Sequence, residues 1–247
     1  MTTYPRNFIT RVIAQAQFQP ILKLKNETPD EFKDAIIEQF PQVEPKESLE
    51  IKFSISPDRG FPSLSEKLPI WEFKNKEQTD TISLSYNAIT LSSNKYISLE
   101  LFFSKVELMY NNFYKIYRPG IINRIGLRFI NEIKLKGNPL DWDGYINNNL
   151  YCSIAPFQHL SISRAMSQLH INLDDHKIIF QFGIYNSEYP NNISQREFIL
   201  DYDCSNKEEC EPEGVVNKFR IFYEDIKSLF KLSRGDKLVR YMKGEDS

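Results

Sequence analysis

The densest run of chemistry-bearing residues is Asn123-Arg124-Ile125-Gly126-Leu127-Arg128-Phe129-Ile130-Asn131. If this run is a strand, Arg124, Gly126 and Arg128 share one face while Ile125, Leu127 and Phe129 take the other, because side chains alternate along extended backbone. The bases of the two arginines then stand about 13 Å apart, four steps of roughly 3.3 Å. A glycine between them lowers the surface and admits a ligand or another backbone. Guanidinium groups placed this way can hold phosphate or carboxylate through paired hydrogen bonds. Arg124, Gly126, Arg128 and Asn131 are therefore the expected contact residues. The opposing reading is that both arginines pair with acids on neighbouring strands and that Gly126 relieves a crowded helix–sheet contact.

Two other groupings could do chemistry. His170-Ile-Asn-Leu-Asp-Asp-His176 sets two imidazoles and two carboxylates around a turn. His170, Asp174 and His176 are candidate ligands for a divalent ion. Asp174-Asp175 is also ordinary hairpin-turn chemistry, so no metal is expected. Carboxylates pair at Asp141/Asp143 and Asp201/Asp203. Hydrolytic chemistry would need them to converge, with a raised pKa or a metal. The alternation of Asp201 and Asp203 with Leu200 and Tyr202 matches a solvated outer strand face instead. The sequence carries no serine-hydrolase elbow, phosphate-binding P-loop, dinucleotide glycine motif, zinc-protease helix or Cys/His nucleophile pair. No catalytic residue and no cofactor are expected. A metal-dependent hydrolase built on Asp201, Asp203 or His170/His176 is the enzymatic alternative.

Composition narrows the partners. The 31 Lys+Arg and 33 Asp+Glu give a net charge of −2, whereas duplex-DNA proteins carry a basic excess because affinity grows with the phosphates neutralised. A protein partner is thus preferred, and nucleic acid would need a local patch. Three cysteines without close pairing exclude a disulfide framework and a structural zinc site. Cys204 and Cys210 flank Lys207-Glu208-Glu209 and read as reduced thiols in a surface loop. The N-terminus lacks a secretion pattern, and no apolar run approaches the ~20 residues of a membrane helix. The expectation is a cytoplasmic protein without membrane contact.

The elements that must position these residues follow from periodicity. Val12, Ala14, Ala16 and Phe18 alternate with polar neighbours, predicting a strand over 8–18. Thr28-Pro29-Asp30-Glu31 predicts a capped helix carrying Phe32, Ala35, Ile36 and Phe40. Leu49, Ile51, Phe53 and Ile55 predict a second strand. A loop containing Pro57, Pro62 and Pro69 follows, with Pro45 just before the strand. Trp71 and its neighbours come next, then a hairpin with strands over 81–86 and 89–91. Ser98 caps a long helix whose face runs from Leu99 to Tyr117. A long strand over 121–135 restarts the order. A short helix opens at Asn138-Pro139, strands follow at 157–172, 177–185 and 197–203, and a second long helix carries Phe219, Phe222, Tyr223, Ile226 and Phe230. The basic residues after Phe230 (Lys231, Arg234, Lys237, Arg240 and Lys243) read as a solvated helix end.

The halves, about 8–118 and 121–232 of a single 1–247 domain, thus share the order strand, short helix, strands, long helix. The expected fold is α+β: an antiparallel sheet backed by two long helices on one face. TATA-binding-protein-like folds double a similar unit, and a helix-grip fold is the undoubled alternative. The motif Arg124-Ile-Gly-Leu-Arg-Phe-Ile-Asn131, with Trp71-Glu72-Phe73, Tyr96 to Phe103 and Leu238-Val239-Arg240-Tyr241-Met242, resembles a sporadically distributed, functionally uncharacterised bacterial family. Tyr is common there where this chain has Phe129. The likeness implies one domain over nearly the whole chain and brings no catalytic residue. The functional expectation is a non-enzymatic binding or regulatory protein that uses its open sheet face. The alternative is a small-ligand binder of helix-grip type, with an aromatic cavity between sheet and helices.

Overall fold

The computed structural model describes residues 4–53 and 63–245. In chain order the elements are β1 (Ile9–Phe18), α1 (Lys23–Asn26), α2 (Asp30–Ile36), β2 (Gln42–Phe53), β3 (Ser63–Lys74), β4 (Asp80–Leu84), β5 (Ala88–Ser93) and α3 (Leu99–Tyr117). Then come β6 (Ile122–Leu135), α4 (Asn148–Tyr151), β7 (Ala165–Asn172), β8 (His176–Ile184), β9 (Arg196–Asn206), α5 (Val215–Ser233) and α6 (Asp236–Lys243). Among the described residues the strands form one antiparallel sheet in the order β2-β3-β4-β5-β1-β6-β9-β8-β7. In each half the opening strand lies at the centre, hydrogen-bonded to the last strand of its own meander. The halves meet where β1 and β6 run antiparallel, with Ala14 opposite Leu127 and Gln15 opposite Gly126.

Alternation decides which face is covered. Val12, Ala14, Ala16 and Phe18 of β1 and Ile125, Leu127, Phe129 and Ile133 of β6 are buried beneath the helices. α5 packs over β6 and β9, α3 over β5, and α2 against α3. Phe18 meets Phe113 of α3 with ring centroids 4.6 Å apart, and Phe180 stacks on Tyr202 at 4.6 Å. The opposite face carries Gln15, Gln17, Thr90, Arg124, Arg128, Asp201 and Asp203, and among the described residues neither long helix, α3 nor α5, lies over it. None of the helices among the described residues is long and apolar enough to cross a membrane.

The long helices and central strands form as periodicity predicts. Ser98 accepts from Leu101 N and caps α3, and Arg118, at φ 44°, closes it in the left-handed region. Several local expectations are corrected. Thr28 does not cap α2; its hydroxyl donates to Asp30 Oδ2, and the capping position is Pro29. Pro45 and Pro69 sit in strands, opposite Trp71 and Glu47 in the β2–β3 pair. They are tolerated because β2 is an edge strand and β3 pairs with β4 only over Trp71–Lys74, so each needs donors on one side alone. Ile55, Pro57 and Pro62 lie outside the described residues. The helix expected at Asn138-Pro139 is a series of turns around buried Trp142, and the helical turn is α4, capped by Asn147. The strand expected from 157 begins only at Ala165, after a 3-10 turn at Ala155–Phe157.

Two further corrections bear on function. Cys204 is not in a surface loop; it is fully buried in β9, where burial pushes its thiol up and leaves it unreactive. The basic residues after Phe230 divide between the end of α5 and a further helix, α6: Lys231, Arg240 and Lys243 are exposed as expected, but Leu238 and Met242 of α6 are buried against the body. Burying two such side chains contributes about 1.5–3 kcal/mol each. Gly235 N donates to Tyr145 O at 2.7 Å, Lys237 N to Gly144 O at 2.9 Å and Arg6 N to Met242 O at 3.1 Å, tying α6 to two other segments.

Candidate functional site

The strand Arg124–Asn131 divides the expected contact residues between the two sheet faces. Arg124, Gly126 and Arg128 point to the open face. Asn131 follows the parity of Phe129 and is buried on the helix side, where its Nδ2 donates to Leu200 O at 3.2 Å. Arg128 makes a bidentate pair with Asp201, Nε to Oδ1 at 2.8 Å and Nη2 to Oδ2 at 2.5 Å. The Arg128 side chain is 40% exposed and that of Asp201 only 6%. Arg124 reaches Gln15 Oε1 at 3.2 Å and Asp203 Oδ1 at 3.4 Å. Burial pushes the Asp203 carboxyl up, and Arg124 and Arg128 offset part of that rise. Gly126 serves Arg124: a Cβ there would lie 2.4 Å from Arg124 Nη1, so the missing side chain leaves the space the guanidinium occupies. Both arginines are therefore engaged with acids and amides of their own sheet.

His170 and His176 do not converge. His170 lies on exposed β7 opposite Ile179, whereas His176 faces the helices and is buried. Its Nδ1 lies 2.5 Å from Asp175 Oδ1, its Nε2 2.9 Å from Asp225 Oδ2, and its ring packs on Phe222. Asp174 remains in the β7–β8 turn. Among the described residues no group of three or more His, Cys, Asp or Glu is placed to hold a metal ion.

The Asp175–His176–Lys218 contact has a pH signature. Hydrogen bonds from His176 and Lys218 hold the Asp175 carboxyl down to about 2, from 3.8. A depressed acid stabilises the fold above its unfolded pKa and loses that contribution as pH falls through the folded value. Asp175 is 58% exposed, so the contribution is under about 1 kcal/mol. Asp175→Asn should lower the melting temperature slightly at pH 6, and the difference should close between about pH 4 and pH 2. Parallel thermal melts that stay equally separated at pH 2 would contradict this linkage.

A cavity of about 540 Å³ lies between the sheet and α5. Phe129, Asn131 and Tyr202 form its sheet wall, and Tyr223, Ile226 and Phe230 of α5 its helix wall. Tyr96–Glu100, Phe8 and Met242 of α6 complete it. Phe129 is the hub of these rings, with centroids 5.9 Å from Tyr96, 6.2 Å from Phe102 and 5.8 Å from Tyr223. Burial pushes the Tyr96 phenol up to about 12 and raises Tyr223 as well, so both stay neutral. The volume falls within the range typical of small-molecule sites, roughly 300–1,000 Å³. Asn131 is the one sequence signal that could have located this wall: a carboxamide in the otherwise apolar row Ile125, Leu127, Phe129, Ile133. Tyr202, Tyr223 and Phe230 give no such signal, because an aromatic on an apolar face reads as ordinary core. In comparison with known proteins, no family model matches the chain and no curated protein matches it at a significant level.

Proposed function

We propose that this chain is a non-enzymatic binding protein whose ligand is a small, largely apolar molecule held between the sheet and α5. The observation that carries the reading is the solvent-open, aromatic-lined cavity of about 540 Å³ around Phe129, whose size and mainly apolar lining suit a small molecule. The open sheet face, with Arg124 and Arg128 meeting a protein partner, is the weaker reading, because those guanidinium groups already spend donors on Gln15, Asp201 and Asp203. The order of elements shared by the two halves supports reading the sheet as a doubled unit of TATA-binding-protein-like kind. The cavity beneath a long helix is the property that the helix-grip comparison brings to it.

The test uses the neutral apolar dye Nile red. Purified protein should bind it saturably at one site with enhanced fluorescence. Leu99→Trp, which adds bulk at the half-buried start of α3, should weaken that binding at least about tenfold, the effect of losing 1.4 kcal/mol, while leaving the melting temperature in place. Binding that is non-saturable, or that is unaffected by Leu99→Trp, overturns the reading.

A further inference from the structure

The cavity wall holds donors without acceptors. Arg234 follows α5 directly, and its Nε and Nη1 are buried with no hydrogen-bond partner. Among the described residues no carboxylate lies within ion-pair distance of it. The rings of Tyr4 and Phe230 are 5.9 and 6.0 Å from its Cζ, at the outer limit of a useful cation–π contact. Such faces also leave the in-plane N–H groups unmet. The buried Tyr202 hydroxyl on the same wall lies beside the Ser233 hydroxyl. Arg234 is partly buried, and leaving two of its nitrogens desolvated without acceptors is unfavourable, so an acceptor arriving from outside the chain would be favoured there.

The charges around the rim distinguish one end of the cavity. Glu224 pairs with Lys227 at 2.6 Å, and Glu100 is held down by its own backbone N–H and by Ser98 at the start of α3. Lys231 and Arg234 pair with no carboxylate among the described residues. Glu224 and Arg234 are ten residues apart, about 15 Å along a helix axis, so the unpaired positive charge belongs to the end of α5 where α6 begins.

We infer that the ligand is an amphipathic anion, with a carboxylate received by Arg234 and an apolar body lying among the rings around Phe129. This rests on the cavity reading above and adds the head group to it. A guanidinium meets a carboxylate with two parallel N–H···O bonds along its Nε/Nη2 or its Nη1/Nη2 edge, so one carboxylate would satisfy one of the two orphaned nitrogens together with Nη2. Lys231 at the rim supplies a second positive charge and no competing acceptor.

Decanoate, decanol and decylamine, each titrated into the full chain by displacement of Nile red, test the assignment. Wild type should prefer decanoate over decanol by about 10–100-fold, the value of a charge-assisted hydrogen bond, and should reject decylamine. Arg234→Gln should abolish that preference while decanol binds as before, which also shows that the cavity remains formed. Lys231→Gln, on an exposed side chain, should reduce the preference only slightly. Equal binding of decanoate and decanol to wild type, or an unchanged preference in Arg234→Gln, overturns the anionic head group and leaves the cavity reading standing. If none of the compounds displaces the dye and the dye itself does not bind, both readings fall.

Discussion

Arg128→Ala should lower the unfolding free energy by about 2–3 kcal/mol, below the 3–5 kcal/mol of a fully buried pair because Arg128 is partly solvated. The cause is the partner left behind. Asp201 has a side chain only 6% exposed, and its two strongest hydrogen bonds come from Arg128. Without them a carboxylate stays desolvated on β9, diagonally across the β6–β9 pair from position 128. The double variant Arg128→Ala/Asp201→Asn should recover a substantial part of the loss, because a neutral amide costs less to leave unpaired. Urea unfolding of the four proteins forms the double-mutant cycle. A single-variant loss within about 0.5 kcal/mol, the range of an inert surface change, would show the pair to be ornamental and return Arg128 to consideration as a contact residue. The same variants should leave Nile red binding intact, since Arg128 faces away from the cavity.

Gly235→Ala should cost about 2–3 kcal/mol, at the upper end of overpacking penalties. Its φ of −93° is open to any residue, so the penalty does not arise from backbone strain. A Cβ would lie 2.1 Å from Gly144 O and 2.5 Å from its carbonyl carbon. Backbone cannot swing aside as a long side chain can, and the segment already holds the hydrogen bond from Gly235 N to Tyr145 O. The junction must open, and with it the seat of α6. Met242 of α6 lines the cavity, so dye affinity should fall together with stability. Gly214→Ala is the control: nothing stands within 4 Å of its Cβ position, and it should stay within about 0.5 kcal/mol of wild type. Equal melting temperatures for the two alanine variants would refute the close approach of Gly235 to Gly144.

These two sites differ in how far they could be read from the chain. That Arg124, Gly126 and Arg128 share a face follows from period-two alternation. That Asp201 and Asp203 share one follows from the same rule on β9. Their meeting does not follow from either, because it depends on β6 and β9 being neighbours in register, with Arg128 opposite Asp203 and Asp201 one pair further on. Local sequence gives Gly235 no distinguishing mark. Its role comes from the Gly144 carbonyl, about ninety positions away in the chain and brought against it by folding.

Local patterning by itself determined the central strands, the two long helices, the Ser98 cap and the apolar faces of α3 and α5. Those features depend on spacing within a few residues, where backbone geometry is nearly fixed. Irregular stretches such as 138–164 do not follow local period, because their conformation answers to a buried Trp142 and to distant carbonyls. Only the tertiary structure decided the strand order, the docking of α6, the internal pairing of the arginines and the cavity. The aromatic rings around Phe129 come from the approach to α3, from α3 itself and from α5, and Arg234 gains meaning only once the chain has folded a wall around it without giving it an acceptor. Sequence records which residues are apolar; whether they fill space or enclose it depends on how the elements pack.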